Sequence, residues 1–111
     1  MTVKAFAQKL GLTLLAGDSE CSEPVEGCYV CDLLSMAMGR VSEHDAWITV
    51  QTNINIVAIA VLTGASLIII PEGLSVEQMV LEKAEDECVT IYSSGKTAYA
   101  LAVSIGALLE T

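Results

Sequence analysis

Hydrophobic positions along the chain switch repeatedly between a period of about 3.6 residues and a period of about 2, the spacings of a helix face and a strand face. In TVKAFAQKL, Val3, Phe6, Ala7 and Leu10 fall at helical spacing, with Thr2 placed to cap the first turn and Gly11 just past the last. LTLLAG reads as a short strand that Gly17 ends. An acidic loop containing Pro24 follows, then GCYVC as a second strand and DLLSMAMGR as a helix that Asp32 opens. DAWITVQ alternates and is rich in β-formers, which predicts a third strand. NIVAIAVLTG is apolar nearly all round, so a helix buried on several sides is expected. SLIII, stopped by Pro71, is a strand without a polar face. SVEQMVLEKAEDE is amphipathic and starts with the capping pair Ser75 and Gln78. VTIYS and KTAYALAVSIGALLE close the series as strand and helix.

Alternating strands and helices, with one strand apolar on both faces, are the signature of a parallel sheet covered on both sides. Crossovers between such strands are right-handed in nearly every case, so a small doubly wound domain is expected. The fold class that follows is α/β: a single three-layer αβα domain with a mostly parallel sheet of about five strands.

Composition narrows the setting. The 111-residue chain is 53% hydrophobic and 17% charged, which suits one domain spanning 1–111 and not a disordered chain. A mean hydropathy of +0.60 raises the question of a membrane. No apolar run reaches the roughly 18 residues of a spanning helix, because Gly64, Pro71 and polar junctions interrupt them. MTVKAFAQKLGLTLL lacks the continuous apolar segment and cleavage site of a signal peptide, so a cytoplasmic location is expected. So much apolar surface in a short chain points to burial in an oligomer, a homodimer first. The formal charge of −9, with basic residues scattered at Lys4, Lys9, Arg40, Lys83 and Lys96, excludes nucleic acid as a partner. Acid gathers around Asp18 to Glu26 and in Glu77, Glu82, Glu85, Asp86 and Glu87, where it reads as solvated surface.

Candidate chemistry centres on WITVQTNINIVAIAVL, where Gln51, Thr52, Asn53 and Asn55 sit between a strand and an apolar helix. In open α/β sheets, ligands bind beyond the carboxyl ends of the strands, and helix N-termini there suit an anion. PEG (Pro71 to Gly73) and SSGK (Ser93 to Lys96) reach the same edge. Asn53 also has a plainer role as a helix cap, and Gln51 and Thr52 as turn residues. A phosphate loop is excluded, because the position five before Gly95 is Thr90 and not glycine.

The four cysteines are Cys21, Cys28, Cys31 and Cys88. Their plainest reading is as small buried hydrophobes, with Cys28 in a strand interior. The spacing of Cys21, Cys28 and Cys31 also offers three thiolates to zinc or an iron–sulfur cluster, with Cys88 or His44 as a distant fourth ligand. Residues i and i+3 on a strand point to opposite faces, so no metal is expected. Cys28 and Cys31 stand where a redox pair would lie, but without the neighbours of that motif. The single histidine, His44, is expected in water on the turn SEHD, and no catalytic grouping can be assembled around it. Neither catalysis nor a cofactor is expected.

The run GCYVCDLLSMAMGR…DAWITVQTNINIVAIAVLTGASLIII…EG resembles the DRTGG domain over almost the whole chain. Gly27, Tyr29, Asp32 to Ser35, Trp47 to Thr52, Asn55 to Ala60, and Glu72 with Gly73 carry the match. Such domains occur alone, in phosphotransacetylases, and between CBS domains in regulated family II pyrophosphatases, and they are similar to the N-terminal domain of HPr kinase. The resemblance implies a non-catalytic αβα regulatory domain, commonly dimeric, of a kind found in a region that responds to adenine nucleotides. Standalone members also occur beside iron-hydrogenase genes, which implies a partner enzyme as one alternative and a cysteine-based metal or redox role as another. The motif that names the family is altered here. In EPVEGCYVC, Glu23 and Pro24 stand for Asp-Arg, Glu26 for threonine, and Gly27 alone remains of the glycine pair. The basic group that would meet a phosphate at that loop is therefore gone.

The expected site comprises Asp32, Gln51, Thr52, Asn53, Glu72, Gly73, Ser93 and Ser94. The expected function is a regulatory or small-ligand-binding domain, with an adenine nucleotide or another phosphate-containing molecule as the ligand.

Overall fold

The apolar run LIII, Leu67 to Ile70, becomes the central strand, and the rest of the chain is arranged around it. A computed structural model describes residues 1–110; Thr111 of the expected domain lies outside the described residues. The elements are α1 (Val3–Leu10), β1 (Thr13–Ala16), β2 (Gly27–Val30), α2 (Leu34–Arg40), β3 (Asp45–Ile48), α3 (Asn55–Thr63), β4 (Leu67–Ile70), α4 (Gln78–Asp86), β5 (Ile91–Ser93) and α5 (Ala98–Leu109). They form a five-stranded sheet in the order β1-β5-β4-β3-β2. Strands β2 to β5 run parallel, and β1 pairs antiparallel with β5. The three-layer α/β class follows directly from this arrangement.

Side chains alternate across the sheet and build two cores. Trp47, Ile68, Ile70 and Ile91 face a cluster with Ala37 of α2, Ile56 and Ala60 of α3, and Val80 and Ala84 of α4. Ala46, Ile48, Leu67 and Ile69 face the opposite cluster, with Val3 and Phe6 of α1 and Leu101 and Ile105 of α5. Burial on both faces explains why β3 and β4 lack polar inward positions. Helix α1 is closed as its sequence suggests: the Thr2 hydroxyl accepts from the Ala5 N–H, and Gly11 takes the left-handed conformation at φ 64°.

The winding differs from the doubly wound expectation. Strands β2, β3, β4 and β5 follow one another along the sheet in one direction, so their three crossover helices share one face. The other face is covered by α1 and α5, which precede and follow the sheet. The strand order has no reversal among the parallel strands, so no crevice opens at one.

Three local expectations also change. Helix α2 is not opened by Asp32, because its cap is Leu33, which makes no side-chain bond. Ser75 and Gln78 form no capping box; α4 begins at Gln78 behind an uncapped, extended Glu77. Helix α3 buries Ile56, Val57, Ile59 and Ala60, while Ile54, Val61 and Leu62 are 40%, 50% and 70% exposed. It is apolar on every side but covered on only one.

Gly17 ends β1 at φ 103°, and a Cβ there would meet the Thr90 Cα at 2.7 Å. Its N–H donates to the Glu85 carboxylate at 2.8 Å, tying β1 to α4. Gly17→Ala combines a left-handed conformation with a backbone clash and is expected to lower stability by about 3 kcal/mol, measured by urea unfolding.

Candidate functional site

The carboxyl ends of β3, β4 and β5 stop level with one another. Ile48 pairs with Ile69, Ile70 pairs with Ser93, and the Thr49 N–H donates to the Ile69 carbonyl at 3.2 Å. Every residue expected at the site therefore lies beyond one edge of the sheet, in two separate polar groups.

The first group is a chain of hydrogen bonds starting from Asp32. Its carboxylate Oδ1 accepts from the Thr49 hydroxyl at 3.0 Å and from the Val50 N–H at 2.8 Å. The Thr49 Oγ1 in turn accepts from the Gln51 N–H at 3.1 Å. Gln51 Nε2 donates to the Asp32 carbonyl at 3.0 Å, and Asn53 Nδ2 donates to Gln51 Oε1 at 3.1 Å. Asn53 Oδ1 accepts from the Asn55 N–H at 2.9 Å, satisfying an amide that the start of α3 would leave free. Asn53 thus does a cap's work, although Ile54 occupies the cap position itself. Trp47 ties the β2–α2 connection to the same region: its indole Nε1 donates to the Cys31 carbonyl at 3.0 Å. The sequence reading missed Thr49, a buried hydroxyl between the apolar strand and the loop. Its signal was present as the one polar side chain in WITV.

The second group joins the β4–α4 and β5–α5 loops. Glu72 and Gly73 are left-handed, at φ 66° and 65°. Their N–H groups donate to the carbonyls of Lys96 and Ser94, both at 2.9 Å. Those amides are engaged within the fold and do not form an open anion cradle. The Ser94 hydroxyl accepts from the Lys96 N–H at 3.1 Å. No side-chain hydrogen bond joins the two groups among the described residues. Thr52 and Ser93 are half-buried, and their hydroxyls have no hydrogen-bond partner among the described residues.

This edge can orient a polar ligand through amides and hydroxyls. It carries the Asp32 and Glu72 carboxylates against Lys96, so it does not favour a densely charged anion. Beside it, a 560 Å³ groove runs along α3 and α4, lined by Ile54, Ala58, Val61, Leu62, Lys83 and Glu87 among others.

At the opposite edge, His44 is not the solvated residue the sequence suggests. It is left-handed at φ 68°, half-buried, and its Nδ1 has no hydrogen-bond partner among the described residues. The nearest carboxylates, of Glu23 and Glu43, stand 3.7 and 3.9 Å from its ring nitrogens. Cys28 lies inside strand β2 as expected, and β2 is an edge strand of the sheet. Cys21 and Cys28 pack on the α1/α5 core and Cys31 on the other, so these three thiols do not converge. Among the described residues, no three histidine, cysteine or acidic side chains are placed to hold a metal. Burial, aided by the neighbouring Asp45 carboxylate, pushes the Cys28 thiol up to about 11.

No family model matches the chain, and no curated protein matches it in sequence. Among solved structures, it is similar to the CBS and DRTGG domains of the regulatory region of a Clostridium perfringens pyrophosphatase, complexed with the activator diadenosine tetraphosphate. The TM-score is 0.73 at 16% identity, over 92% of this chain and 44% of that one. The likeness is one of fold, and it reaches a structure that contains the DRTGG domain the sequence resembles. The chain spans less than half the length of that protein. Among the described residues, no helix is long and apolar enough to cross a membrane.

Proposed function

We propose that the chain is a non-catalytic regulatory domain that binds a small polar ligand, an adenine nucleotide or a related phosphate-containing molecule, and acts as a homodimer. The observation that carries the reading is the carboxyl edge. Its Thr49–Asp32–Gln51–Asn53 chain is held in place, while the half-buried Thr52 and Ser93 hydroxyls have no hydrogen-bond partner among the described residues. Preorganised polar groups at such an edge are what a ligand site needs. The likeness to a pyrophosphatase regulatory region complexed with a diadenosine activator supports a nucleotide as the ligand class. Gln51 and Asn53 would read base or sugar, Ser93 and Ser94 a hydroxyl or phosphate oxygen. Asp32 serves as the brace of the loop. Glu72 and Gly73 shape the second wall through their backbone.

Dimerisation rests on α3. Ile54, Ala58, Val61 and Leu62 form one stripe at helical spacing, flanked by the Lys83–Glu87 ion pair at 3.1 Å. That face is locally neutral in a chain of charge −9, so two copies can meet there without the repulsion found elsewhere. The stripe also fits a partner enzyme, the second reading. Leu62→Asp separates the two from each other and from folding. Leu62 is 70% exposed, so the monomer fold is expected to survive by circular dichroism, while light scattering changes from dimer to monomer mass. Wild-type protein that is monomeric at micromolar concentration would leave the stripe to a different partner.

A nucleotide screen by thermal shift tests the ligand class. Stabilisation by adenine nucleotides, absent with inorganic phosphate alone, is the expected result.

A further inference from the structure

The four free cysteines fall into two kinds of surroundings. Cys28 and Cys31 pack against opposite cores, and pairing them would require turning β2 over. Cys21 and Cys88 instead line the same two concavities, one of 350 Å³ that also holds His44, and one of 250 Å³ beside Gly17 and Glu85. Thr90, just before β5, lines both. The backbone holds each cysteine there. The Cys21 N–H donates to the Asp18 carbonyl at 3.2 Å, and the Cys21 carbonyl accepts from the Lys4 backbone N–H at 3.1 Å. Cys88 turns off the end of α4 in a left-handed conformation at φ 59°, its N–H on the Glu85 carbonyl at 3.2 Å.

We infer that Cys21 and Cys88 are a redox-active dithiol that hydrogen peroxide, a neutral oxidant, converts to an intramolecular disulfide. Cys88 is exposed and meets the oxidant first, while half-buried Cys21 resolves the product. The Cys88 thiolate attacks a peroxide oxygen, the O–O bond breaks, and the departing hydroxide is protonated to water. The Cys21 thiolate then attacks the Cys88 sulfur of the sulfenic acid. The S–S bond forms, the S–O bond breaks, and a second water leaves. Two thiols lose two electrons in total, and one hydroperoxide is reduced. Asp18, Glu20, Glu23, Glu43, Glu85 and Glu87 border this region, which repels an anionic oxidant such as glutathione disulfide. Cys28 is no competitor, since it lies on edge strand β2 and lines neither concavity.

The crosslink would tie the β1–β2 loop to the α4–β5 turn, closing a long segment of chain. The test is peptide mapping of the reduced full chain after stoichiometric hydrogen peroxide. The expected result is a Cys21–Cys88 crosslinked peptide, with an upward shift of the melting midpoint of roughly 10 °C that dithiothreitol reverses. In Cys21→Ser, dimedone should label Cys88; Cys28→Ser and Cys31→Ser should both retain the crosslink. A Cys28–Cys31 bridge, a crosslink between molecules, or independent oxidation of Cys21 and Cys88 would overturn the pairing. Faster crosslinking by glutathione disulfide than by peroxide would overturn the choice of oxidant.

Discussion

Trp47→Ala is expected to lower the unfolding free energy by about 4 kcal/mol, a large fraction of what a domain of this size possesses. Trp47 is fully buried between the sheet and the α2–α3 layer, and it lies next to Ile68 and Tyr29 in the strand register. Its removal leaves a cavity that the surrounding isoleucines cannot fill without moving β3. It also deprives the Cys31 carbonyl of its indole donor. Trp47→Phe retains most of the ring but loses the hydrogen bond, so a smaller loss of about 2 kcal/mol is expected. Chemical denaturation of the three proteins reads the difference. Equal losses in both variants would mean that the hydrogen bond, not the packing, carries the effect.

A second effect, on both stability and binding, is expected at Asp32. Its side chain is exposed overall, yet its carboxylate oxygen receives both the buried Thr49 hydroxyl and the Val50 amide. Asp32→Ala leaves both donors without that partner and is expected to cost about 2 kcal/mol. Asp32→Asn keeps an acceptor oxygen in the same place and should retain roughly half of that, because only the charge assistance is lost. The same pair separates bracing from ligand contact. A brace predicts that binding falls with Asp32→Ala and recovers with Asp32→Asn. A direct charged contact predicts loss in both.

Most of the architecture was legible in the chain because burial leaves a simple record. SLIII has no polar face because β4 is flanked by β3 and β5 and covered by helices on both sides. The Thr2 and Gly11 signals bracket α1 because cap chemistry is local. The unread parts depend on tertiary placement. Asp32 looks like a helix cap from sequence, but β3 ends beside it and offers two stronger donors. Ser75 and Gln78 have the right spacing for a capping box, yet the chain stays extended to Glu77 while Val76 packs on the core. NIVAIAVLTG shows no bias between its faces, so the sequence could not reveal which one the sheet would leave open. His44 was read as solvated because its neighbours in the chain are polar, whereas the residues around it in space are not all so.

For the candidate site, Gln51 to Asn53 and Ser93 lie at the carboxyl edge of the sheet, because each directly follows or ends a parallel strand. The roles of Glu72 and Gly73 were not legible. Their amides look available in a Gly-containing turn, and only the fold shows that the β5–α5 loop occupies them. Thr49 escaped notice because a threonine at a strand end is ordinary until its partner is known.

The ligand claim is tested most directly by following backbone amide resonances during titration with an adenine nucleotide, in wild-type protein and in Asn53→Ala. The substitution removes the cap-like hydrogen bond from Asn55 and the exposed contact to Gln51, and should lower stability by only about 1 kcal/mol, so the fold persists. In wild-type protein, saturable shifts are expected at Gln51, Thr52, Asn53 and Ser93, and these should vanish in the variant. Unmoved resonances at saturating nucleotide, shifts confined to α3, or unchanged binding by Asn53→Ala would contradict a ligand site at the carboxyl edge.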